Sequence, residues 1–292
     1  MASDEVFMKG DIAVFAAEMK KLINNKETGD IRFLIGPNRK PIFAHRCILA
    51  ARCDVFRAMF ADQAQKNTTQ DAEIPFVLSD ITPDIFLALM EFLYTNCVTL
   101  NGKIAIDVLG SSIEYGLEEL RKLCVEYLID NLSVNNAAET MQASVTYGQD
   151  ELRDKTMDYI EQNTENIFKT KGFHEMSEEA ISYVMTSDKL DIDEVDVISA
   201  VREWATVNSV VIGKPITEVS KSVAQHIRLP LLSPDELTEV EKENKKDNLI
   251  PVECVSFAWK FHVFKKGEKG NALTTKRKGT KPRESHKGLD AL

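Results

Sequence analysis

The firmest constraint in this chain is one short β-signal set in otherwise helical periodicity. Residues 30–35 (Asp-Ile-Arg-Phe-Leu-Ile) and 40–44 (Lys-Pro-Ile-Phe-Ala) are apolar runs flanking Gly36-Pro37-Asn38-Arg39, the pattern of strand, turn and strand. A third run, residues 73–78, reads as a strand whose Pro75 confines it to a sheet edge or a strand start. Beyond Ser133 strand signals end. A sheet this small does not close a core alone, so helices must cap it.

Helical spacing supplies those helices. Ile12, Phe15, Met19, Leu22 and Ile23 recur at helical intervals and predict an amphipathic helix over residues 11–23. Short helices are expected over 46–51 and 54–61, then a polar loop over 62–72. Thr82-Pro83 starts a helix whose inner stripe is Ile85, Phe86, Leu89, Phe92 and Leu93. Residues 102–115 and 117–131 continue the pattern, the latter with Leu117, Leu120, Cys124 and Leu128 on one face. Further on, helices are expected over 136–147, where Asn136 and Glu139 resemble a capping box, and over 151–163, 177–185 and 193–208. Ser233-Pro234-Asp235-Glu236 joins a cap, a first-turn proline and a box glutamate, and starts a helix to about residue 243. A last helix, 251–264, should turn Val252, Val255, Trp259 and Val263 inward.

Charge divides the chain unevenly. Nine basic residues stand against two acidic ones between Lys265 and Lys287, a net +7, so the rest carries −17 of the total −10. An acidic body argues against a duplex-binding surface and makes nucleic acid an unexpected partner. The basic stretch is poor in apolar side chains and is expected to be a disordered tail, with Lys276-Arg277-Lys278 read either as a nuclear import signal or as a solubilising charge run. No run of eighteen apolar residues predicts a membrane span, and the acidic start Met1-Ala2-Ser3-Asp4-Glu5 is unlike a signal peptide. The expected place is intracellular, cytoplasmic or nuclear.

Nothing in the chain points to catalysis. Five scattered cysteines (Cys47, Cys53, Cys97, Cys124, Cys254) form neither a disulfide framework nor a metal spacing. Gly110-Ser111-Ser112-Ile113 hints at a nucleophile elbow, but Glu114 takes the place of the second glycine. No glycine loop has a phosphate-cradling spacing. His45 reads as a packed strand-end histidine rather than a base. Neither a cofactor nor a metal is expected.

Ile42-Phe43-Ala44-His45-Arg46 leading into Leu49-Ala50-Ala51, then Phe56-Arg57-Ala58-Met59-Phe60, and later the run from Phe86 to Thr95, resemble the BTB/POZ domain in content and spacing. Residues 134 to about 243 resemble the BACK domain that often follows it, on Phe173-His174-Glu175-Met176-Ser177, Val201-Arg202-Glu203-Trp204-Ala205 and Ile227-Arg228-Leu229-Pro230. No repeat of forty to fifty residues suggests a Kelch module, and no MATH module is recognised. The resemblance implies pairing through the opening helix, here Ile12, Phe15, Met19 and Leu22. It also implies, for many members, adaptor service to a cullin-based ubiquitin ligase. Adaptor relatives carry an apolar-x-Glu element after the Met-Phe helix; the matching place here is Ala64-Gln65-Lys66, with a small residue for the anchor and a cation for the acid. Asp30 and Arg46 match the buried Asp and basic residue lining a charged pocket in transcription-factor relatives. That pair either captures a co-repressor peptide or orders the fold.

The expectation is therefore an α+β BTB/POZ unit over residues 1–132 with its core at 28–100, an all-α BACK-like unit over 133–264, and a basic disordered tail over 265–292. Its function would be that of a non-enzymatic scaffold pairing with itself and with other proteins. A cullin adaptor and a nuclear transcriptional cofactor are the alternatives.

Overall fold

The computed structural model describes residues 8–66, 74–264 and 271–288, and two units divide between Asn131 and Leu132. The first contains α1 (Ile12–Lys20), β1 (Ile31–Ile35), β2 (Lys40–Ala44), α2 (Arg46–Arg52), α3 (Asp54–Lys66), β3 (Phe76–Leu78), α4 (Pro83–Thr95), α5 (Ala105–Glu114) and α6 (Glu118–Asp130). Strand order is β2-β1-β3, with β1 antiparallel to β2 and parallel to β3. The β1–β2 turn needs positive φ at Gly36 and Arg39. Its register sets Ile31 opposite Ala44 and Phe33 opposite Ile42, and all four are buried. A slip of one residue would turn that set to solvent, so the pattern fixes the pairing. β3 lies at the edge, where Pro75 just before it costs no ladder bond.

Phe33 is the hub of this core. Its ring centroid lies 5.8 Å from Phe56, 5.7 Å from Phe76 and 5.1 Å from Phe86, within the range of favourable aromatic pairs. The expected stripe of α4 is buried, together with Ala88, Met90 and Tyr94, so α4 is enclosed on most of its circumference. Leu120, Cys124 and Leu128 of α6 are buried as well.

α3 departs from its expected end near residue 61 and runs to Lys66. Gln, Ala and Lys are good helix formers, and Gln63 anchors the added turn: its Oε1 accepts from Arg46 Nη2 at 2.9 Å and its Nε2 donates to the Ile74 carbonyl at 2.8 Å. Residues 67–73, the rest of the expected loop and the start of the expected third strand, lie outside the described residues.

The second unit is helical: α7 (Ala137–Thr146), α8 (Asp150–Gln162), α9 (Thr164–Ile167), α10 (Lys171–His174), α11 (Glu178–Met185), α12 (Glu194–Ile212), α13 (Ile216–Val219), α14 (Pro234–Asp247) and α15 (Val252–Phe264), with short 3₁₀ turns between and after them. Trp204 sits at its centre, almost wholly buried, and donates its indole N–H to the Met176 carbonyl at 2.8 Å. Phe168 and Phe173 stack at 4.2 Å. The Phe173–Met176 and Val201–Trp204 motifs thus contribute core rather than a reactive site.

Caps bear out one expectation and correct another. Ser233 and Glu236 form both bonds of the capping box on α14. Asn136 makes no side-chain cap on α7; its Oδ1 accepts from the Ser133 N–H at 2.7 Å. α15 turns inward a face that matches the expected one only in part: Val255 is buried and Trp259 packs half-buried against the core. Val255, Ala258 and Phe261 are buried, whereas Val252 is 71% and Val263 is 72% exposed. Apolar residues ring this helix nearly all round, so its sequence left two stripes almost equivalent.

The expectation of a disordered tail fails over residues 271–288, which lie against the helical unit. Arg277 and His286 are buried there. Counting apolar side chains missed this because charge-assisted hydrogen bonds, not apolar burial, hold the segment. Residues 265–270 and 289–292 lie outside the described residues.

Candidate protein-interaction surfaces

α1 is built to stay helical without being buried. Asp11 caps it, its carboxylate accepting from the N–H groups of Ala13 at 2.8 Å and Val14 at 3.3 Å, yet no residue of α1 is buried. Ile12 is 69% and Phe15 60% exposed; Met19 is half-buried, and Leu22 lies half-buried in the turn beyond the helix. Lys20 ties the helix to α4 through Glu91 at 2.5 Å. Burial raises the Glu91 carboxyl, but Lys20 and the Thr99 donors outweigh it and leave it below its usual value. Beside α1 lies a groove of about 470 Å³, lined by Ile12, Phe15 and Met19 from α1, Cys47, Ile48, Ala51 and Arg52 from α2, and residues 93–96 at the end of α4. Of the four residues expected at a dimer contact, three line this groove; Leu22 does not.

Asp30 and Arg46 meet in a different way from the buried charge pair of the resemblance. Asp30 is exposed, and its carboxylate accepts the backbone N–H of Arg46 at 2.7 Å, at the start of α2. The Arg46 guanidinium instead reaches Gln63 and lies 5.1 Å from the Phe60 ring centroid. His45 donates its backbone N–H to the Tyr94 hydroxyl at 2.8 Å, while its ring contacts the same hydroxyl at 2.9 Å and Thr28 at 3.1 Å. Burial, with smaller charge effects, pushes the Tyr94 phenol up to about 12. His45 is a joint between β2 and α4.

Ala64 lies exposed in the last turn of α3 rather than in a loop; the Lys66 side chain falls outside the described residues. Ser112 is buried in α5 and donates to the Leu109 carbonyl at 2.6 Å, a bond internal to the helix. The free thiols are exposed at Cys47 and Cys97 and buried at Cys53 and Cys124; burial pushes Cys124 up to about 12. Among the described residues, no His, Cys, Asp and Glu group is arranged to hold a metal ion, and no helix is long and apolar enough to cross a membrane.

The second surface was not foreseen. Asp193 caps α12, its Oδ1 accepting from Val195 N–H, and Glu236 belongs to the box on α14. Arg283 forks across both carboxylates, with Nη2 2.7 Å from Asp193 Oδ1 and Nε 2.6 Å from Glu236 Oε2. Deeper in, Arg277 Nε lies 2.6 Å from Glu194 Oε1, both side chains being 0% exposed. Its other nitrogens donate to the carbonyls of Ser187, Met185 and His226. Burial lowers the pKa of the Arg277 guanidinium and outweighs the opposing pull of Glu194. The stretch holds two arginines among seven lysines, and its composition carries no signal of this.

Burial raises the Asp193 and Glu236 carboxyls, yet Arg283 and nearby donors outweigh it, and both lie below the usual carboxylate range. A depressed folded value gives stability that is complete above the unfolded value and lost as pH falls through the folded one. Arg283→Gln should therefore lower neutral-pH stability and flatten the acid limb below about pH 4. Melting curves from pH 7 to 3 read this directly; an unchanged acid limb would assign the loss to other carboxylates.

Comparison with known proteins fits this architecture. The BTB/POZ domain model matches residues 19–132, and the BACK model, described as BTB And C-terminal Kelch, matches residues 137–242. The chain belongs to the BTB/POZ family, in the class whose BTB unit is followed by a BACK region. It is 41% identical over 99% of both chains to BTB/POZ domain-containing protein 19 of Bos taurus, and 42% identical over 96% of both chains to that of Homo sapiens. It is 29% identical to BTB/POZ domain-containing protein 9 of Bos taurus, over 78% of this chain and 36% of that protein. Proteins of this family are generally non-enzymatic interaction modules.

Proposed function

We propose that this protein is a non-enzymatic scaffold that pairs with a second copy of itself through α1 and the adjoining groove, and presents the rest of its surface to other proteins. The observation that carries this reading is an α1 whose apolar residues remain outside a core that is already complete without them. An apolar stripe beside an apolar-lined groove is self-complementary, which is what a two-fold contact requires. Asp30 and Arg46 serve the fold, one capping the start of α2 and the other covering Phe60. Sedimentation of the intact chain at micromolar concentration should give a dimer mass. A monomer at that concentration would overturn the proposal.

Cullin-adaptor service is the weaker reading. An alanine methyl at position 64 fills little of a pocket that adaptor relatives fill with a large apolar side chain, and such a loss costs about 2–5 kcal/mol. Lys66 reverses the charge presented beside it. Titration of a purified cullin N-terminal domain onto this protein should show no submicromolar binding, whereas an Ala64→Met, Lys66→Glu variant should gain affinity. Submicromolar binding by the unaltered chain would put the adaptor reading first.

A further inference from the structure

The contacts of residues 271–288 have the chemistry of a bound ligand more than that of a core element. The apolar core of the helical unit is formed by residues between Ala137 and Ala258 and includes none from this segment. What holds the segment is polar. Lys278 N–H donates to the Asp188 carbonyl at 2.9 Å and Gly279 N–H to the Leu190 carbonyl at 3.1 Å, so its backbone pairs with the 188–190 loop. The Lys281 N–H donates to Asp193 Oδ2 at 2.8 Å. Lys278 and Lys281 reach Asp191 and Asp196 at 2.6 and 3.5 Å.

The receiving surface is shaped for this occupant at two points. A fully buried carboxylate and three main-chain carbonyls surround one guanidinium, Arg277, with acceptors matching its planar fork. Two residues on, the backbones approach so closely that a Cβ on Gly279 would stand 2.0 Å from the Ile192 nitrogen, a contact no side chain can make. Six residues beyond Arg277, Arg283 bridges the first turns of α12 and α14. Emptied, the surface would present Asp191, Asp193, Glu194, Asp196 and Glu236 together, while Asp188 stays paired with Arg228, whose guanidinium also donates to the Thr275 carbonyl of the segment.

We infer that this acidic groove is a recognition site for an extended, arginine-bearing peptide of the form Arg-x-Gly-x-x-x-Arg, and that residues 271–288 are its resident, exchangeable ligand. A partner presenting the same chemistry reaches the groove by displacing the segment. Lys276-Arg277-Lys278 is then unavailable to an import receptor while the segment is docked, because Arg277 is inside.

The test uses the full chain with a protease site placed in residues 265–270 and cleaved after purification. The released fragment should co-elute with the body at low salt. It should exchange with a fluorescein-labelled synthetic peptide of residues 271–288, while circular dichroism shows the body still folded. Peptides carrying Arg277→Lys or Gly279→Ala should bind about tenfold or more weakly. Three results would overturn the inference: a fragment that never exchanges, a folded body that does not take up the peptide, or a body that unfolds when the fragment leaves. Equal binding by the Gly279→Ala peptide would do so too, since the close approach would then have no part in recognition.

Discussion

Arg277→Ala is expected to lower the stability of the helical unit by about 3–5 kcal/mol, the usual loss when one partner of a buried ion pair is removed. That corresponds to a melting temperature lower by roughly 6–20 °C for a unit of this size. The substitution leaves Glu194 in the interior with a backbone N–H, from Arg228 at 3.0 Å, but no guanidinium. It also strips the donor partner from three carbonyls. Arg277→Lys should recover little, because an ammonium cannot span the same four acceptors. Glu194→Gln in the Arg277→Ala background should recover part of the loss, since it removes the stranded charge. Lys278→Ala and Lys281→Ala, which break exposed pairs, should each cost under about 1 kcal/mol. Differential scanning calorimetry on the set checks the ranking. Equal effects of Arg277→Ala and Lys278→Ala would remove the buried pair from the account of stability.

The second large effect concerns α1. Phe15→Asp with Met19→Asp should convert the proposed dimer to a monomer whose BTB unit is still folded, because α1 buries no residue in the single chain. In a two-fold pair every substitution acts twice. Losing the burial of a Phe-sized side chain costs about 1.5–3 kcal/mol per copy, so Phe15 alone would weaken the pair by roughly two to four orders of magnitude in Kd. Bringing carboxylates into the contact adds to that. Light scattering across a dilution series separates the two forms. A dimer that survives both substitutions would move the contact to another face.

What could be read from the chain beforehand was what local periodicity encodes. The strand, turn and strand of β1 and β2, the α4 stripe and the α14 capping box depend on residues a few positions apart, and all appear as expected. The misses have distinct causes. α15 is apolar on nearly every side, so no single stripe stood out. α3 outran its expected end because its polar residues are also good helix formers. Asp30 and Arg46 were paired by residue type, but the contact runs through a main-chain N–H. The acidic groove was invisible because Arg277 meets Glu194 across 83 positions and Met185 across 92, and no pattern in a window records such a match.

That long reach also bears on the order in which the protein can be made. Synthesis delivers the chain from its N-terminus, and each unit folds as its residues emerge. The BTB unit has all its parts by Asn131. The helical unit does not: the cation that neutralises Glu194, a carboxylate on its central α12, is translated only after α15 has been completed. Until then that acid must remain hydrated, protonated or temporarily partnered, and the nascent unit carries an open, negatively charged seam. Its last folding step is therefore the closing of a contact of high sequence separation, slow by nature and timed to the arrival of residue 277.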